Sequence, residues 1–225
     1  MNSIVLEVKQ RKALKQKGEG VDFLVMSATP IPRTLAMSLY GDMDVSSIET
    51  RPEGRKPILT KYFEGSSMKP FLKQLKDYLA QGGQCYVICP LIEDNEDLPL
   101  KSALTIYEAM SSYFKGHYQT GLLHGSLKDE EKNTVMQDFK DNKIQILIST
   151  TVVEVGVDVP NANMMVIYNA ERFGLSSIHQ LRGRIGRGNQ QGYCFLLSEA
   201  QDEPAKERLH YLEEHDDGLK YHNMT

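Results

Sequence analysis

The hydrophobic positions of this chain fall into short runs that are separated by segments with a helical period. Short apolar runs bounded by polar or glycine positions are typical of buried strands, and apolar residues spaced three and four apart are typical of amphipathic helices. The pattern predicts strands at 85–89, 121–123, 145–148, 164–168 and 193–197, and helices at 68–80, 104–114, 128–140, 177–184 and 204–214. Strands that alternate with helices predict an α/β fold, a doubly wound parallel sheet with helices on both faces.

The amino-terminal part of the chain is less regular. There we predict a basic helix at 9–17, a strand at 21–26, a helix at 33–39 and a strand-like, proline-punctuated stretch at 45–63; further on, 94–99 is predicted as an acidic loop. Residues 51–57 combine proline, glycine and charge, as linkers between domains do. The sequence therefore predicts a domain boundary at this linker.

The composition excludes several classes of protein. With 225 residues, of which 40% are hydrophobic and 25% charged, the chain is an ordinary globular protein rather than a disordered one. Its net charge of −4 means that any contact with phosphate must come from a local basic patch. No apolar stretch is long enough to span a bilayer, and the first residues carry no signal-peptide pattern.

The cysteines indicate a reducing compartment and no metal site. Three cysteines cannot all pair within one chain, so we expect a cytoplasmic protein. Cys85 and Cys89 lie on one predicted strand, about 13 Å apart, which is too far for one zinc ion. We therefore expect thiols that pack in the core.

Three arginines and three glycines crowd into residues 180–188, QLRGRIGRG. If the predicted helix continues through this segment, Gln180, Arg184 and Arg187 share one face at i, i+4 and i+7. Glycine costs roughly 0.5–1 kcal/mol inside a helix, but it lets another backbone or a phosphate approach closely. Because guanidinium groups suit polyphosphate oxygens, the segment predicts a polyphosphate site. The alternatives are a solvated basic helix end and a generic Arg-Gly patch for RNA.

A second candidate site follows a predicted buried strand. Ser149, Thr150 and Thr151 supply hydroxyls that can donate to a phosphate oxygen. Gly156 and Asp158 then form a Gly-x-Asp turn closed by proline, in which Asp158 can accept from a ribose hydroxyl or orient an arginine. Taken alone, Asp158 is better explained as an Asx-type cap. Together with the arginine segment, the pattern favours a nucleotide or nucleic-acid site.

Two further strand ends carry weaker signals. Ser27, Ala28 and Thr29 follow one predicted strand, where a plain Ser/Thr turn is the simpler explanation. Gly125 lies between a strand and a helix, whose N-terminal N–H groups can bind an anion such as a backbone phosphate. Ligands of doubly wound sheets bind beyond the carboxyl ends of the strands, so the topology favours these segments, the hydroxyl run and the loop after Tyr168.

The usual nucleotide-binding motifs are absent from the sequence. It contains no Gly-x-x-x-x-Gly-Lys-Ser/Thr loop for the β- and γ-phosphates and no Asp-Glu-x-His box for magnesium. It also contains no Gly-x-Gly-x-x-Gly fingerprint and no nucleophile elbow. The chain thus combines phosphate-sensing arginines with none of the motifs that normally bind the nucleotide first.

That combination resembles the second half of a superfamily 2 helicase motor. Residues 27–29 resemble helicase motif III, 149–160 motif V and 180–187 motif VI. Longer runs at 27–37, 154–162 and 171–188 are similar to the RecG family, the ATP-dependent helicases that remodel branched DNA. The resemblance covers nearly the whole chain.

The resemblance implies a RecA-like fold and a division into lobes. It makes 1–50 the tail of lobe 1, 51–57 the linker, 58–200 lobe 2, and 201–225 a truncated helical extension. In this family the Walker A loop and the Asp-Glu-x-His box lie upstream, so ATP and Mg²⁺ are expected to be held mainly by the preceding lobe. We therefore expect a fragment without ATPase activity alone, whose partners are that lobe and branched DNA, with no membrane.

The resemblance also implies roles for individual residues. Contacts to the γ-phosphate and their orientation are expected from Arg187, Arg184, Gln180 and Asp158, with Gly156 allowing close approach. Contacts to the DNA backbone are expected from Gly125, Ser149, Thr150 and Thr151, and coupling to the other lobe from Ser27, Ala28 and Thr29.

Two alternatives stay open. The transcription–repair coupling translocases, which act on double-stranded DNA, share the TPIPRTL run at 29–35 and the arginine segment. A stand-alone α/β module could instead grip RNA or a protein partner with the arginine segment and would need no ATP; the net charge of −4 argues against tight nucleic-acid binding by such a module.

Overall fold

The structure, a computed structural model, describes Ser46 and residues 56–90, 97–150, 159–186 and 190–215. The chain divides into two compact units, and apart from Ser46 the described residues belong to the unit formed by Arg51–Val153 and Val157–Thr225. The elements predicted at 9–17, 21–26 and 33–39 lie outside the described residues. The predicted domain boundaries therefore stay predictions.

Strands and helices alternate along the described residues, as the periodicity predicts. The strands are β1 (Leu59–Glu64), β2 (Cys85–Ile88), β3 (Thr120–Leu123), β4 (Ile146–Ser149), β5 (Met164–Ile167) and β6 (Tyr193–Ser198). The α-helices are α1 (Leu72–Ala80), α2 (Asp97–Tyr113), α3 (Asp129–Lys140), α4 (Leu175–Arg182) and α5 (Glu203–Glu214), and a short 3-10 helix covers Ala170–Arg172.

The six strands form one sheet in the order β1-β6-β5-β2-β4-β3. Every neighbouring pair is parallel. The inner strands β2, β4 and β5 are buried at every position, because helices cover both faces of a parallel sheet of this kind. The predicted doubly wound parallel sheet is confirmed.

The core has a layer of helices on each side of the sheet. On one face, Phe71 beside α1 stacks on Phe195 of β6 with ring centroids 4.5 Å apart, and Met110 of α2 joins the same buried cluster. On the other face, Tyr86 of β2 packs against Phe139 of α3 at 4.9 Å. Because successive strand side chains point to opposite faces, both faces of each inner strand are covered.

Among the described helices, the starts of α1 and α2 differ most from the predicted boundaries. α1 begins at Leu72 rather than at residue 68, since residues 69–71 form a turn in which the Phe71 N–H donates to the Met68 carbonyl oxygen over 3.2 Å. α2 begins at Asp97, so the second half of the loop predicted at 94–99 is helical. Pro99 lies in the first turn of α2, where a backbone N–H has no intrahelical partner and a proline is tolerated.

The strand-like stretch predicted at 45–63 is shorter where the structure describes it. Residues 56–58 are not in a strand, and β1 starts at Leu59. β1 is an edge strand, and its alternating burial places Thr60 and Tyr62 inward. The helix predicted at 204–214 agrees with α5, which packs against β1.

Candidate functional site

Two neighbouring strands carry part of the predicted nucleic-acid surface to the carboxyl edge of the sheet. Leu123 of β3 lies opposite Ser149 of β4, and the Thr150 N–H donates to the Leu123 carbonyl oxygen over 3.1 Å. Gly125 lies two residues after the end of β3 and is exposed. The structure therefore brings Gly125, Ser149 and Thr150 to one edge.

The hydroxyls at this edge are less accessible than the sequence indicates. Ser149 is 0% and Thr150 4% exposed, since both continue the fully buried β4. A side chain added at Gly125 would meet nothing within 4 Å. Among the three residues, Gly125 is the one that an approaching backbone could reach in this conformation.

The N-terminus of α3, which follows Gly125, already carries negative charge. Asp129, Glu130 and Glu131 occupy its first turn, and the Lys128 N–H donates to Glu131 Oε2 over 2.9 Å. Acidic side chains here complement the positive end of the helix dipole. The predicted anion site at this helix end is consequently weaker than its sequence position indicates.

The arginine segment does not continue as one helix. α4 ends at Arg182, and the following N–H groups form a tight turn: Arg184 N–H donates to Leu181 O at 2.9 Å and Ile185 N–H to Arg182 O at 3.2 Å. Gly186 then has φ +65°, a left-handed conformation that ends helices and favours glycine. The predicted helix through residue 184, which would place Gln180 and Arg184 on one regular helical face, is therefore wrong. Arg187 lies outside the described residues. We call residues 183–186 the arginine turn.

The arginine turn lies at the amino edge of the sheet, opposite to Gly125. Its Gly186 N–H donates over 2.9 Å to Oδ1 of Asn163, the residue directly before β5. This placement follows from topology, because α4 comes after β5 and runs back along the sheet before β6 begins. The hydroxyl run therefore lies at the carboxyl ends of the strands, where doubly wound sheets bind ligands, and the arginine turn lies at the opposite ends.

Glycine allows the close approach that the sequence predicts at this turn. A Cβ added at Gly192 would lie 3.1 Å from the Gly186 Cα, and one added at Gly186 would lie 3.3 Å from Ile58 Cγ1. The Leu59 N–H donates to the Gly192 carbonyl oxygen over 2.9 Å. The arginine turn is therefore packed against the segment by which the chain enters β1, immediately after the predicted linker.

The two arginines of the segment that the structure describes, Arg182 and Arg184, differ in burial. Arg182 is 2% exposed, and its Nη1 donates to the carbonyl oxygens of Leu212 and His215 at 3.3 and 3.1 Å. It thereby binds the C-terminal end of α5. Its spacing of four from the buried Ile178 is a sequence signal for a core position. Arg184 and Gln180, in contrast, are partly exposed.

Several predicted site residues lie outside the described residues. These are Arg187, Gly156, Asp158, Thr151, Ser27, Ala28 and Thr29. Their roles stay predictions.

Buried thiols and metal ligands add no second site. Burial raises the pKa of Cys89 and of Cys194 to about 12, so these thiols stay protonated and unreactive at neutral pH. Over the described ranges, no group of three or more His, Cys, Asp or Glu side chains could hold a metal ion. No helix in the described part of the chain is both long and apolar enough to cross a membrane.

The donors at the arginine turn suit phosphate rather than metal. The backbone N–H groups of residues 183–186 already donate within the protein, so the Arg184 guanidinium is the group of this turn that suits phosphate oxygens, whereas Mg²⁺ requires oxygen ligands. The described residues at this turn therefore fit the phosphate end of a nucleotide, and the ligands for its Mg²⁺ would have to come from elsewhere.

Comparison with known proteins assigns the class. Residues 70–189 match the model of the Helicase conserved C-terminal domain, which covers more than half of the 225 residues, and the chain belongs to that family. It is 49% identical over 213 residues to the ATP-dependent DNA helicase RecG of Bacillus subtilis (strain 168), covering 95% of this chain and 31% of that protein. It is 48% identical over 212 residues to the Streptococcus pneumoniae protein of the same name, covering 94% of this chain and 32% of that protein. The chain thus spans about a third of the length of these relatives.

Solved structures agree with this assignment. The chain superposes on the structure of RecG bound to a three-way DNA junction with TM-score 0.72 and 46% identity, covering 89% of this chain and 26% of that one. It also resembles Saccharomyces cerevisiae Dbp5 bound to RNA and ADP BeF3, with TM-score 0.63 and 18% identity, over 95% of this chain and 54% of that one. The second match shows the fold alone.

Proposed function

We propose that this chain is the second motor lobe of an ATP-dependent DNA helicase of the RecG type, which remodels branched DNA. The observation that carries the proposal is the position of the arginine turn beside Ile58, where the chain leaves the predicted linker. Arginines at that point can face a nucleotide that is bound by the preceding lobe. The similarity to RecG proteins supports this function over a double-stranded DNA translocase or a stand-alone binding module.

In this proposal residues 1–50 are the tail of lobe 1, 51–57 the linker, 58–200 lobe 2, and 201–225 part of a helical extension. ATP and Mg²⁺ are held mainly by lobe 1, and when bound ATP supplies the phosphoryl group whose transfer to water drives the motor. Lobe 2 presents Arg187 and Arg184 to the γ-phosphate as negative charge develops there. A guanidinium in that position is worth on the order of 10³–10⁵ in rate.

Other residues orient these two arginines or shape the site around them. Gln180 and Asp158 hold the arginine face, and Gly156 lets the backbone approach. Ser27, Ala28 and Thr29 couple the lobes. The two lobes then close and open once for each nucleotide that is bound and released.

The opposite edge of the sheet contacts DNA. Gly125, together with Ser149, Thr150 and Thr151, meets the phosphate backbone rather than the base edges, so movement is independent of sequence. Since Ser149 and Thr150 are buried and Gly125 is exposed, Gly125 makes the first contact. Three free, buried cysteines among the described residues are consistent with a cytoplasmic protein.

A chimera tests this function. This chain replaces the matching segment of the Bacillus subtilis RecG protein, and ATP hydrolysis is measured with and without a three-way DNA junction. We expect the isolated chain to show no turnover above background, and the chimera to hydrolyse ATP with stimulation by the junction. Magnesium-dependent hydrolysis by the isolated chain would contradict the proposal, and so would a folded chimera that binds ATP without hydrolysing it.

A further inference from the structure

Asn163 is a buried polar residue at the amino edge of the sheet. Its side chain is 1% exposed, and it directly precedes β5. Burying an amide costs free energy unless its donors and acceptor are hydrogen-bonded. A polar residue in such a position therefore has partners that explain its presence.

The Asn163 side chain joins three separate segments. Its Oδ1 accepts the Gly186 N–H at 2.9 Å, and its Nδ2 donates to the Pro160 carbonyl oxygen at 2.6 Å and to Gln190 Oε1 at 2.9 Å. A backbone N–H can only donate and a carbonyl can only accept, so these partners fix the orientation of the amide. One side chain thus binds both Gly186, the last residue of the arginine turn, and Gln190.

The backbone of Asn163 is held as firmly as its side chain. Its N–H donates to Tyr78 Oη at 3.1 Å, and its carbonyl oxygen accepts the Tyr193 N–H at 2.8 Å. The Tyr78 hydroxyl donates in turn to the Asn161 carbonyl oxygen at 2.6 Å. Burial raises the pKa of Tyr78, so this hydroxyl stays a donor at neutral pH. Asn163 is therefore anchored to α1 and β6 while it holds the arginine turn.

A second buried amide, that of Gln84, makes its side-chain hydrogen bonds elsewhere. The Gln84 backbone N–H donates to the Asn161 carbonyl oxygen over 2.8 Å, and a substitution of the side chain keeps that bond. Gln84 is 0% exposed, and its Nε2 donates to the carbonyl oxygens of Phe139 and Ile144. Those acceptors lie at the C-terminal end of α3 and just before β4, away from the arginine turn. Gln84 therefore provides a control for the loss of a buried, hydrogen-bonded amide as such.

We propose that Asn163 is a positioning residue for the arginine turn, and that its amide fixes the turn so that Arg184 meets the nucleotide phosphates in reactive geometry. The proposal rests on the proposed function. Its physical basis is that a shift of about 1 Å in a group that stabilises the transition state costs about 10²-fold in rate. Loss of one amide would leave the Gly186 N–H and the Pro160 carbonyl oxygen without their partner.

The test compares variants of the chimera by their ATP kinetics. We expect Asn163→Ala to lower kcat by about 10- to 100-fold while KM for ATP changes less than about threefold, because the nucleotide is held mainly by the other lobe. Gln84→Ala removes a comparable amide, and per folded molecule its kcat should stay within about twofold of the wild-type value. Equal losses of kcat in both variants would reduce Asn163 to a structural role and overturn the proposal.

A milder variant guards against misfolding. Gln190 is exposed, so Gln190→Ala should fold normally while it removes one bond of the Asn163 amide. We expect a smaller loss of kcat, about two- to fivefold, with unchanged KM. If Gln190→Ala and a folded Asn163→Ala both retain wild-type kcat, Asn163 does not position the turn.

Hydrogen exchange separates failure of this proposal from failure of the proposed function. In the chain of 225 residues, without nucleotide, Asn163→Ala should speed exchange of the Gly186 amide by at least about tenfold, whereas Gln84→Ala should leave it unchanged. An unchanged Gly186 amide in Asn163→Ala would overturn the structural basis of the proposal. Faster exchange with an unchanged kcat would overturn the positioning role alone, and an inactive wild-type chimera would remove the proposed function and this role together.

Discussion

Replacing Arg182 should destabilise the chain although the residue lies in a segment of candidate catalytic arginines. Arg182 is 2% exposed, and one of its nitrogens donates to two carbonyl oxygens at the end of α5. A hydrogen bond from a charged group contributes about 1.5–3 kcal/mol, and a cation at a helix C-terminus about 0.3–2 kcal/mol. Both bonds are longer than 3 Å and share one nitrogen, so we place the combined loss at about 3 kcal/mol.

Denaturant unfolding of the chain measures this loss, and a second variant divides it. Arg182→Ala should lower the free energy of unfolding by about 3 kcal/mol, and Arg182→Met, which keeps the apolar stem, by about 2 kcal/mol. Lys206→Ala is the control: it also links α5 to the sheet, but its partner Glu64, 3.3 Å away, is 67% exposed, so we expect no measurable change. A loss below about 1 kcal/mol for Arg182→Ala would refute the view that this arginine holds α5 in place.

Two further predictions concern stability. Burial raises the pKa of Cys89 and Cys194 to about 12, so their stabilising effect is complete below the thiol pKa of the unfolded chain and is lost as the pH rises above it. The free energy of unfolding should therefore fall by roughly 1–2 kcal/mol per thiol from pH 8 to pH 10. The fall should be smaller in Cys89→Ala, which lacks one of these thiols. A fall as large as that of the wild-type chain would argue against the thiols as the cause. Gly192→Ala should lower the free energy of unfolding by about 1–3 kcal/mol, since its Cβ would lie 3.1 Å from the Gly186 backbone. Gly125→Ala, whose Cβ would meet nothing within 4 Å, should be nearly neutral. Equal effects of the two substitutions would contradict the close packing of Gly192 against Gly186.

The parts of the fold that follow from periodicity were predictable. The inner strands are continuous apolar runs, and a fully covered parallel sheet demands such runs, so the strands and the fold class could be read from the sequence. Helix ends depend on single backbone groups instead. A hydrogen-bonded turn at 69–71 precedes α1, and Gly183 and Gly186 end the arginine helix earlier than its charge pattern indicates.

The site was predictable as a set of residues but not as a spatial arrangement. Local spacing does not show that the arginine turn and Gly125 lie at opposite edges of the sheet, because that depends on the direction in which α4 runs back. Arg182 and Arg184 look alike in sequence, yet one binds the end of α5 and the other is partly exposed. Asn163 carries no sequence signal of its own, since the partners that link it to the arginine turn and to Gln190 lie 23 and 27 residues away along the chain.

In the proposed function, ATP hydrolysis depends on the arginines of this lobe, which complete an ATP site whose other parts lie in another lobe. Arg187→Ala in the chimera tests this directly, with Arg172→Ala, an exposed arginine of the 3-10 helix, as the matched control. We predict that Arg187→Ala lowers kcat for ATP hydrolysis by about 10³-fold or more, with the Kd for a non-hydrolysable ATP analogue changed less than about threefold, and that Arg172→Ala changes neither. Hydrolysis at the wild-type rate by the Arg187→Ala chimera would contradict the account.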